Sequence, residues 1–206
     1  MNVESIHWLG HDAFRIDGPP VVYVDPFQLA GSPPEADLIL VTHDHFDHLS
    51  PDDIAKVRGA RTVVAGPREV AAKLAGVEVI AAGETRALAG ATVRAVPAYN
   101  THKKFHPKAD GKLGFVVTVG GVTVYHAGDT DVIPEMTGLA PDVALLPVSG
   151  TYVMTASEAA EAARTIRPRI AIPMHYGAIV GSDSDARTFA TLLAGSGIEV
   201  VIKNRE

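Results

Sequence analysis

Short runs of β-branched and other apolar residues, bounded by Gly, Pro or Asp, recur through most of this chain. Such bounded runs are typical of β-strands. Gly120-Gly121 lies between two of them and predicts the turn of a hairpin. The sequence predicts strands at 3–8, 12–17, 21–24, 37–41, 62–65, 92–97, 114–119, 122–126, 142–146, 170–172 and 198–202.

Helices are fewer, and two of them have clear start signals. Ser50 precedes Pro51 and an acidic residue, which is the pattern of an N-cap, a proline at the first helical position and an acid in the first turn. Thr155 and Glu158 form a second capping pattern, which opens an Ala-rich helix that ends before Pro168. Further helices are predicted at 67–75 and 184–194. Because strands and helices intermix without a linker, residues 1–206 are predicted to form a single α/β domain.

Composition excludes several classes of site. The chain has 206 residues, a formal net charge of −6 and no cysteine, so disulfides and thiolate ligands are excluded and a zinc ion would need nitrogen and oxygen ligands. The acidic net charge does not favour nucleic-acid binding.

No apolar run approaches the ~18 residues that span a bilayer, and the first residues lack signal-peptide character, so we expect a cytoplasmic protein. The oligomeric state is left open.

The segment that follows the predicted strand 37–41 has the highest density of potential metal ligands in the sequence. Three imidazoles and a carboxylate occur within six residues, as His43, His45, Asp47 and His48. Neutral imidazole and carboxylate are the donors that suit zinc and similar divalent ions. This pattern predicts a metal site.

Further residues of metal-ligand type follow other predicted strands. Asp25 ends the strand 21–24, Asp129 follows the hairpin strand, and His175 follows the strand 170–172. Functional groups of α/β proteins commonly lie at strand ends, where the sheet holds them rigidly. We therefore expect these side chains to converge with the His-rich segment.

The ordered motifs His43-x-His45-x-Asp47-His48, Gly128-Asp129 and a late His175 resemble those of the metallo-β-lactamase superfamily. The segments Trp8-Leu-Gly-His11-Asp-Ala-Phe14 and Val24-Asp-Pro-Phe27 resemble the branch that contains ascorbate-6-phosphate lactonase-like proteins and N-acylphosphatidylethanolamine phospholipase D. The resemblance implies a four-layer αββα sandwich with two divalent metal ions. Zinc is the expected metal, and Mn²⁺ or Fe²⁺ are the alternatives.

The resemblance also implies which residues hold the metals. His43 and His45 would bind the first ion, Asp47, His48 and His175 the second, and Asp129 both. Asp25 would support the metal ligands without binding an ion itself. Where the family supplies another His to the first ion, this chain has Asn100. Either the Asn100 amide faces that ion, or His102, His106 or His11 takes its place, or the first site is weak.

The resemblance implies hydrolysis of a lactone, another ester or amide, or a phosphodiester. The attacking group would be a metal-bound hydroxide, which Asp47 would orient. The basic segment 100–108 predicts a contact to an anionic small-molecule substrate through His102, Lys104 or His106, and Tyr152 precedes a helix N-terminus that could also bind an anion. Solvated loops are the alternative for both.

Two other functions stay open at this point. A non-catalytic protein of the same fold would follow if Asn100 compromises the first metal site. A di-iron oxidoreductase of this fold usually has Glu at the position of His45, and an attached flavodoxin domain, neither of which occurs here.

Overall fold

Two β-sheets stack in the computed structural model, which describes residues 3–206. The first sheet has six strands in chain order: β1 (Ile6–Gly10), β2 (Ala13–Ile16), β3 (Val22–Val24), β4 (Ala36–Leu40), β5 (Arg58–Gly66) and β6 (Val77–Val79). The second sheet has the spatial order β13-β12-β11-β10-β9-β8-β7. Its strands are β7 (Thr85–Leu88), β8 (Ala91–Pro97), β9 (Leu113–Val119), β10 (Val122–His126), β11 (Val143–Pro147), β12 (Ile170–Met174) and β13 (Glu199–Val200).

Four α-helices begin where the capping patterns predict or within a residue or two of the predicted bounds. They are α1 (Pro51–Val57), α2 (Arg68–Lys73), α3 (Ala156–Ile166) and α4 (Asp183–Leu192). Ser50 accepts a hydrogen bond from the backbone of Asp53 at the start of α1. Thr155 and Glu158 form a complete capping box at the start of α3, which satisfies two backbone donors that the helix leaves free.

The alternation of side chains along β4 shows how the layers are arranged. Leu38 and Leu40 lie in the core between the two sheets, whereas Ile39 packs in a second cluster with Ile54 and Val57 of α1. Successive strand residues point to opposite faces, so α1 and α2 cover the outer face of the first sheet. Helices α3 and α4 contact β11 and β12 of the second sheet. The predicted αββα sandwich is therefore confirmed.

The sequence missed two strands and misplaced the boundaries of others, including β5, which begins at Arg58 instead of the predicted residue 62. Strands β6 and β7 lie at sheet edges and most of their side chains are at least partly exposed, so they lack the apolar signal of a buried strand. Residues Val3–Ser5 form a 3₁₀ turn, whereas a strand was predicted from residue 3. Met1 and Asn2, which the predicted domain range 1–206 includes, lie outside the described residues.

Parallel pairing brings several strand ends to one edge of the sandwich. Strands β3 and β4 are parallel in the first sheet, and β10, β11 and β12 are parallel in the second. The carboxyl ends of these strands lead into Asp25, His43, Asp129 and His175. This edge therefore positions the predicted site. No helix within residues 3–206 is long and apolar enough to cross a bilayer.

Candidate metal centre

Four side chains of metal-ligand type form a first group at this edge. His43 and His45 follow β4, His106 lies in the loop after β8, and Asp129 follows β10. His45 Nδ1 lies 3.0 Å from His43 Nε2 and 3.3 Å from His106 Nε2. Asp129 Oδ2 lies 3.4 Å from His106 Nε2 and 4.0 Å from His43 Nε2.

A second group lies beside the first and consists of His11, Asp47, His48 and His175. Asp47 Oδ2 lies 3.1 Å from His11 Nε2 and 4.0 Å from His48 Nε2. The rings of His11 and His175 are 4.2 Å apart between centroids. His11, which the sequence offered only as a possible extra ligand, thus lies among the side chains of this group.

The carboxylate of Asp129 connects the two groups. Its Oδ2 faces the first group, while its Oδ1 lies 3.4 Å from both His48 Nε2 and His175 Nε2. Ligand atoms that surround a tetrahedral zinc ion at about 2.0–2.1 Å lie about 3.3 Å from one another. Most of the observed spacings, 3.0 to 3.4 Å, match the edges of such a tetrahedron.

Buried atoms without partners also fit a cation here. His48 Nε2 and Asp129 Oδ1 are buried and have no hydrogen-bond partner among the described residues. An unsatisfied buried polar atom costs free energy, and a divalent ion would satisfy both. The donor set and these free atoms are therefore suited to divalent metal ions.

Asp12 is a buried carboxylate that the sequence analysis missed. It lies with His48, Asp129 and His175 in a third potential ligand group, and neither of its side-chain oxygens has a hydrogen-bond partner within residues 3–206. Burial raises the pKa of Asp12 well above its usual value. The signal that could have found it is a carboxylate directly after His11, in a segment that is otherwise apolar.

Hydrogen bonds behind the ligands fix the orientation of the imidazoles. His48 Nδ1 donates to Asp25 Oδ2 at 2.7 Å, and Asp25 also accepts from the backbone and hydroxyl of Thr42. His175 Nδ1 lies 2.9 Å from Ser149 Oγ. With Nδ1 engaged in this way, Nε2 of each ring is left for a metal. Asp25 was predicted in this supporting position, whereas Ser149 was not foreseen.

Asn100 contacts His106, and its Oδ1 is buried without a hydrogen-bond partner among the described residues. Its Nδ2 donates to the Tyr152 carbonyl at 2.7 Å and lies 3.4 Å from His106 Nδ1, and its backbone N–H donates to the His106 carbonyl at 2.9 Å. Of the replacements left open by the sequence, His106 is the one that enters the first group. His102 is exposed on the loop before it.

The backbone holds several of these side chains in a conformation that is rare outside glycine. Nine non-glycine residues in the described range have positive φ, and five of them lie at this site. These five are His11, Asp25, His106, Tyr152 and His175. Such strain persists only where surrounding structure enforces it, and it concentrates at functional sites.

Charge and burial divide the histidines into two classes. Burial opposes the protonated form of His48, but Asp129, Asp25 and Asp12 outweigh it and raise the pKa of His48 to about 10. In the same way Asp129 and Asp12 overcome burial and raise the pKa of His175 to about 9.

Burial dominates in the first group and at His11. It lowers the pKa of His106 to about 4 and the pKa of His43 well below its usual value. Burial likewise lowers the pKa values of His45 and His11. Neutral imidazoles, ready to bind a metal, are therefore expected in the first group at neutral pH.

Lys112 is a buried cation that the sequence analysis also missed. Its Nζ lies 3.0 Å from Glu69 Oε1 of α2 and 3.5 Å from Asp44 Oδ1, which sits between His43 and His45. Its charge contributes to the lowered pKa values of His43, His45 and His106. Lys112 thus holds the His-rich loop against α2.

A cavity of about 350 Å³ opens directly above both groups. His45, Asp47, His106 and Asp129 lie at its base. Of the predicted substrate contacts, Tyr152 and His106 line this cavity, whereas His102 and Lys104 are exposed and do not.

Comparison with known proteins identifies the family of this chain. The sequence matches the model of the beta-lactamase superfamily domain over residues 5–175. The UPF0173 metal-dependent hydrolase of Pyrococcus abyssi is 37% identical over an alignment that covers 98% of this chain and 97% of that protein. The crystal structure of a proposed metal-dependent hydrolase from Parabacteroides distasonis has a TM-score of 0.89 at 37% identity, covering 98% of this chain and 93% of that one.

A more distant structure, the metallo hydrolase Igni18 from Ignicoccus hospitalis, has a TM-score of 0.79 at 23% identity, covering 97% of this chain and 94% of that one, and shows the shared fold alone. The narrower resemblance to ascorbate-6-phosphate lactonase-like proteins stays a prediction. The family match and the relatives that are over 30% identical along nearly the whole chain decide the assignment. The chain belongs to the metallo-β-lactamase superfamily, within the UPF0173 family of metal-dependent hydrolases.

Proposed function

We propose that this chain binds two divalent metal ions and hydrolyses an ester or lactone bond, or a phosphodiester bond, of a small-molecule substrate. The first ion is held by His43, His45, His106 and Asp129. The second is held by the remaining group, His11, Asp47, His48 and His175, together with Asp129.

The observation that carries this proposal is the position of Asp129 between two groups of donors. One oxygen faces each group at 3.4 Å from the nearest imidazole nitrogens. A carboxylate that lies between two sets of imidazole and carboxylate donors is the arrangement that a two-metal site needs. The presence of His106 in the first group argues against a site weakened by Asn100, and so against a non-catalytic protein.

Divalent ions at such a centre lower the pKa of a bound water and stabilise the negative charge that develops on the substrate oxygen. Asp47 faces the cavity, and although burial opposes it, the hydrogen bond from His11 lowers the pKa of Asp47, so this carboxylate is ionised at neutral pH. It can therefore accept a hydrogen bond from the attacking water and orient it.

The hydrolytic step balances without a further reactant. The water oxygen forms a bond to the carbonyl carbon, and the bond from that carbon to the leaving oxygen breaks. One water proton passes through Asp47 to the leaving oxygen, which departs as an alcohol. The other proton goes to solvent, and the acid product is a carboxylate. No Ser or Cys nucleophile is required.

We propose zinc as the native ion, because six of the eight donors are imidazoles and most spacings in the first group are close to those around a tetrahedral ion. Manganese and iron also accept imidazole and carboxylate ligands. Elemental analysis of the purified protein tests this directly. Two equivalents of zinc or manganese support the hydrolase, iron favours oxidoreductase chemistry, and no bound metal contradicts the proposal.

The activity test uses the metal-loaded protein and a panel of lactones, carboxylic esters and phosphodiesters. Asp47→Asn keeps the size of the side chain but removes the charge that holds the second ion and orients water. We expect kcat to fall by about a thousandfold or more on any substrate found, with the fold intact by circular dichroism.

The matched control is Asp52→Asn, which changes an exposed carboxylate in the first turn of α1. Its kcat should equal that of the wild type within about twofold. Near-normal turnover in Asp47→Asn would show that the proposed mechanism is wrong.

A further inference from the structure

We infer that the substrate of this centre carries an uncharged apolar group, an alkyl chain of a few carbons or an aryl ring, beside the bond that is cleaved. The inference rests on the proposed function and adds to it that the substrate has a hydrophobic substituent. It is drawn from the walls of the cavity, which stand above the potential metal ligands.

Exposed apolar side chains are concentrated at this cavity. Seven large hydrophobic side chains are exposed within residues 3–206, and four of them form the walls. The four are Phe46 (70% exposed), Phe105 (50%), Tyr152 (42%) and Ile179 (42%). Single exposed apolar residues are ordinary on a protein surface, but a cluster of them marks a binding site.

These walls come from four separate loops, and three of the four side chains contact another aromatic ring. Phe105 and Tyr152 meet edge to face with their centroids 4.5 Å apart, and Phe46 meets Phe27 at 6.1 Å in the same manner. Aromatic pairs of this geometry stabilise one another beyond simple burial. These contacts therefore favour the observed positions of Phe46, Phe105 and Tyr152 without a ligand.

The size of the cavity suits a small molecule. Its volume is about 350 Å³, near the lower end of the usual range for ligand pockets. A reacting bond placed at the base, against His45, Asp47 and Asp129, would have its substituent between the apolar walls. Burial of that substituent would supply binding energy next to the reacting bond.

Apart from the proposed metal ions, the lining of the cavity offers no lysine or arginine to an anionic substituent within the described residues. Lys103 pairs with Asp131, Lys108 with Glu135 at 2.7 Å, and Lys112 with Glu69 and Asp44. Two of the three lysines of the basic segment 100–108 are thus paired with carboxylates, and the third, Lys104, lies outside the lining.

The test titrates a series of straight-chain hydroxamates, from two to eight carbons, into the metal-loaded protein by isothermal titration calorimetry. The hydroxamate group chelates the metal ions and the alkyl chain probes the walls. We expect Kd to fall about threefold for each added carbon until the cavity is filled. Four added carbons would then give roughly a hundredfold gain over acetohydroxamate.

Two variants show whether the gain comes from these walls. Ile179→Ser should reduce the affinity ratio between the six-carbon and two-carbon hydroxamates by about fivefold, because it removes an apolar wall. Ile202→Ser is the matched control, since Ile202 is the same residue type, is 43% exposed and lies away from this cavity. Its affinity ratio should equal that of the wild type.

The outcomes separate the inference from the proposed function. If the protein binds metal and acetohydroxamate but all chain lengths bind equally, the inference is overturned and the metal centre stands. The same conclusion follows if Ile179→Ser and Ile202→Ser behave alike. If the protein takes up no divalent metal, the proposed function itself is overturned, and this inference with it.

Discussion

The raised pKa values of His48 and His175 indicate that both rings carry an extra proton at neutral pH when metal is absent. His48 and His175 both lie 3.4 Å from Asp129 Oδ1, with Asp12 nearby as a second buried carboxylate. Carboxylates overcome the desolvation of the two rings and keep them protonated. A divalent cation would replace these protons as the counter-charge of Asp129.

Metal uptake at pH 7 should therefore release protons. With pKa values of about 10 for His48 and about 9 for His175, both rings are charged at pH 7 in the metal-free protein, and ligation requires their neutral forms. We expect roughly two protons released and an apparent affinity that rises with pH up to about 9–10. Calorimetry in buffers of different ionisation enthalpy measures both, and uptake without proton release would contradict the assignment.

The roles of His106 and Asn100 can be separated by metal titration. His106→Ala removes a donor of the first group, so we expect first-site affinity to fall by more than about a hundredfold. Asn100→Ala removes the contacts that hold His106 and the Tyr152 carbonyl, together with the buried Oδ1, and a loss of about tenfold is expected. Equal losses in both variants would mean that Asn100 itself faces the metal. Second-site affinity serves as the internal control.

At the scale of elements, strand and helix ends fix the loops that carry the centre. The loop between β11 and α3 holds Ser149 against His175 and places Tyr152 in the cavity wall. It is closed by a β-bridge between Ser149 and Thr155, which is also the N-cap of α3. The start of α3 and the geometry of the site therefore depend on the same residue.

Thr155→Ala should destabilise the protein by about 1 kcal/mol, because the capping box at α3 is lost. Urea unfolding monitored by circular dichroism measures the change. Thr165→Ala is the control, since Thr165 is exposed in the same helix and its hydroxyl bonds only within that helix. Stability should stay within about 0.5 kcal/mol of wild type in that variant. Equal effects in both variants would show that the cap does not contribute.

At the scale of the whole molecule, the centre lies where the two sheets meet. His43 and His48 come from the loop after β4 of the first sheet, whereas Asp129 and His175 follow β10 and β12 of the second. Metal ions held by both sets would link the two halves of the sandwich. Binding to the folded state alone adds to stability.

Removal of metal by a chelator should therefore lower Tm. At free metal about a hundred times Kd, binding adds about 3 kcal/mol, which corresponds to about 5–10 °C for a protein of this size. Differential scanning calorimetry at several zinc concentrations should show Tm rising with the logarithm of free zinc. Asp129→Ala should abolish most of this rise, because it removes the carboxylate shared by both groups. A Tm that is independent of zinc would contradict a folded-state metal centre.

Local patterns determined much of this protein from the sequence alone. Caps at Ser50 and Thr155, the hairpin at Gly120-Gly121 and the apolar run before His43 each depend on neighbouring residues, so each element was predicted within a few residues of its position. The ordered motifs were also enough to indicate the superfamily. Edge strands β6 and β7 were not predicted, because a strand with little buried surface has no apolar sequence pattern.

Only the tertiary structure decided which side chains meet. His106 lies 61 residues from His45 and Asp12 lies 36 residues before His48, and no local pattern reports such contacts. The pairing of Lys103 and Lys112 with carboxylates, and the gathering of Phe46, Phe105 and Ile179 at one cavity, likewise depend on how separate loops pack. The sequence specified the chemistry of the ligands, because that is a property of residue type. The environment of the reacting bond is a property of contacts between distant segments, and the packing of the two sheets produced it.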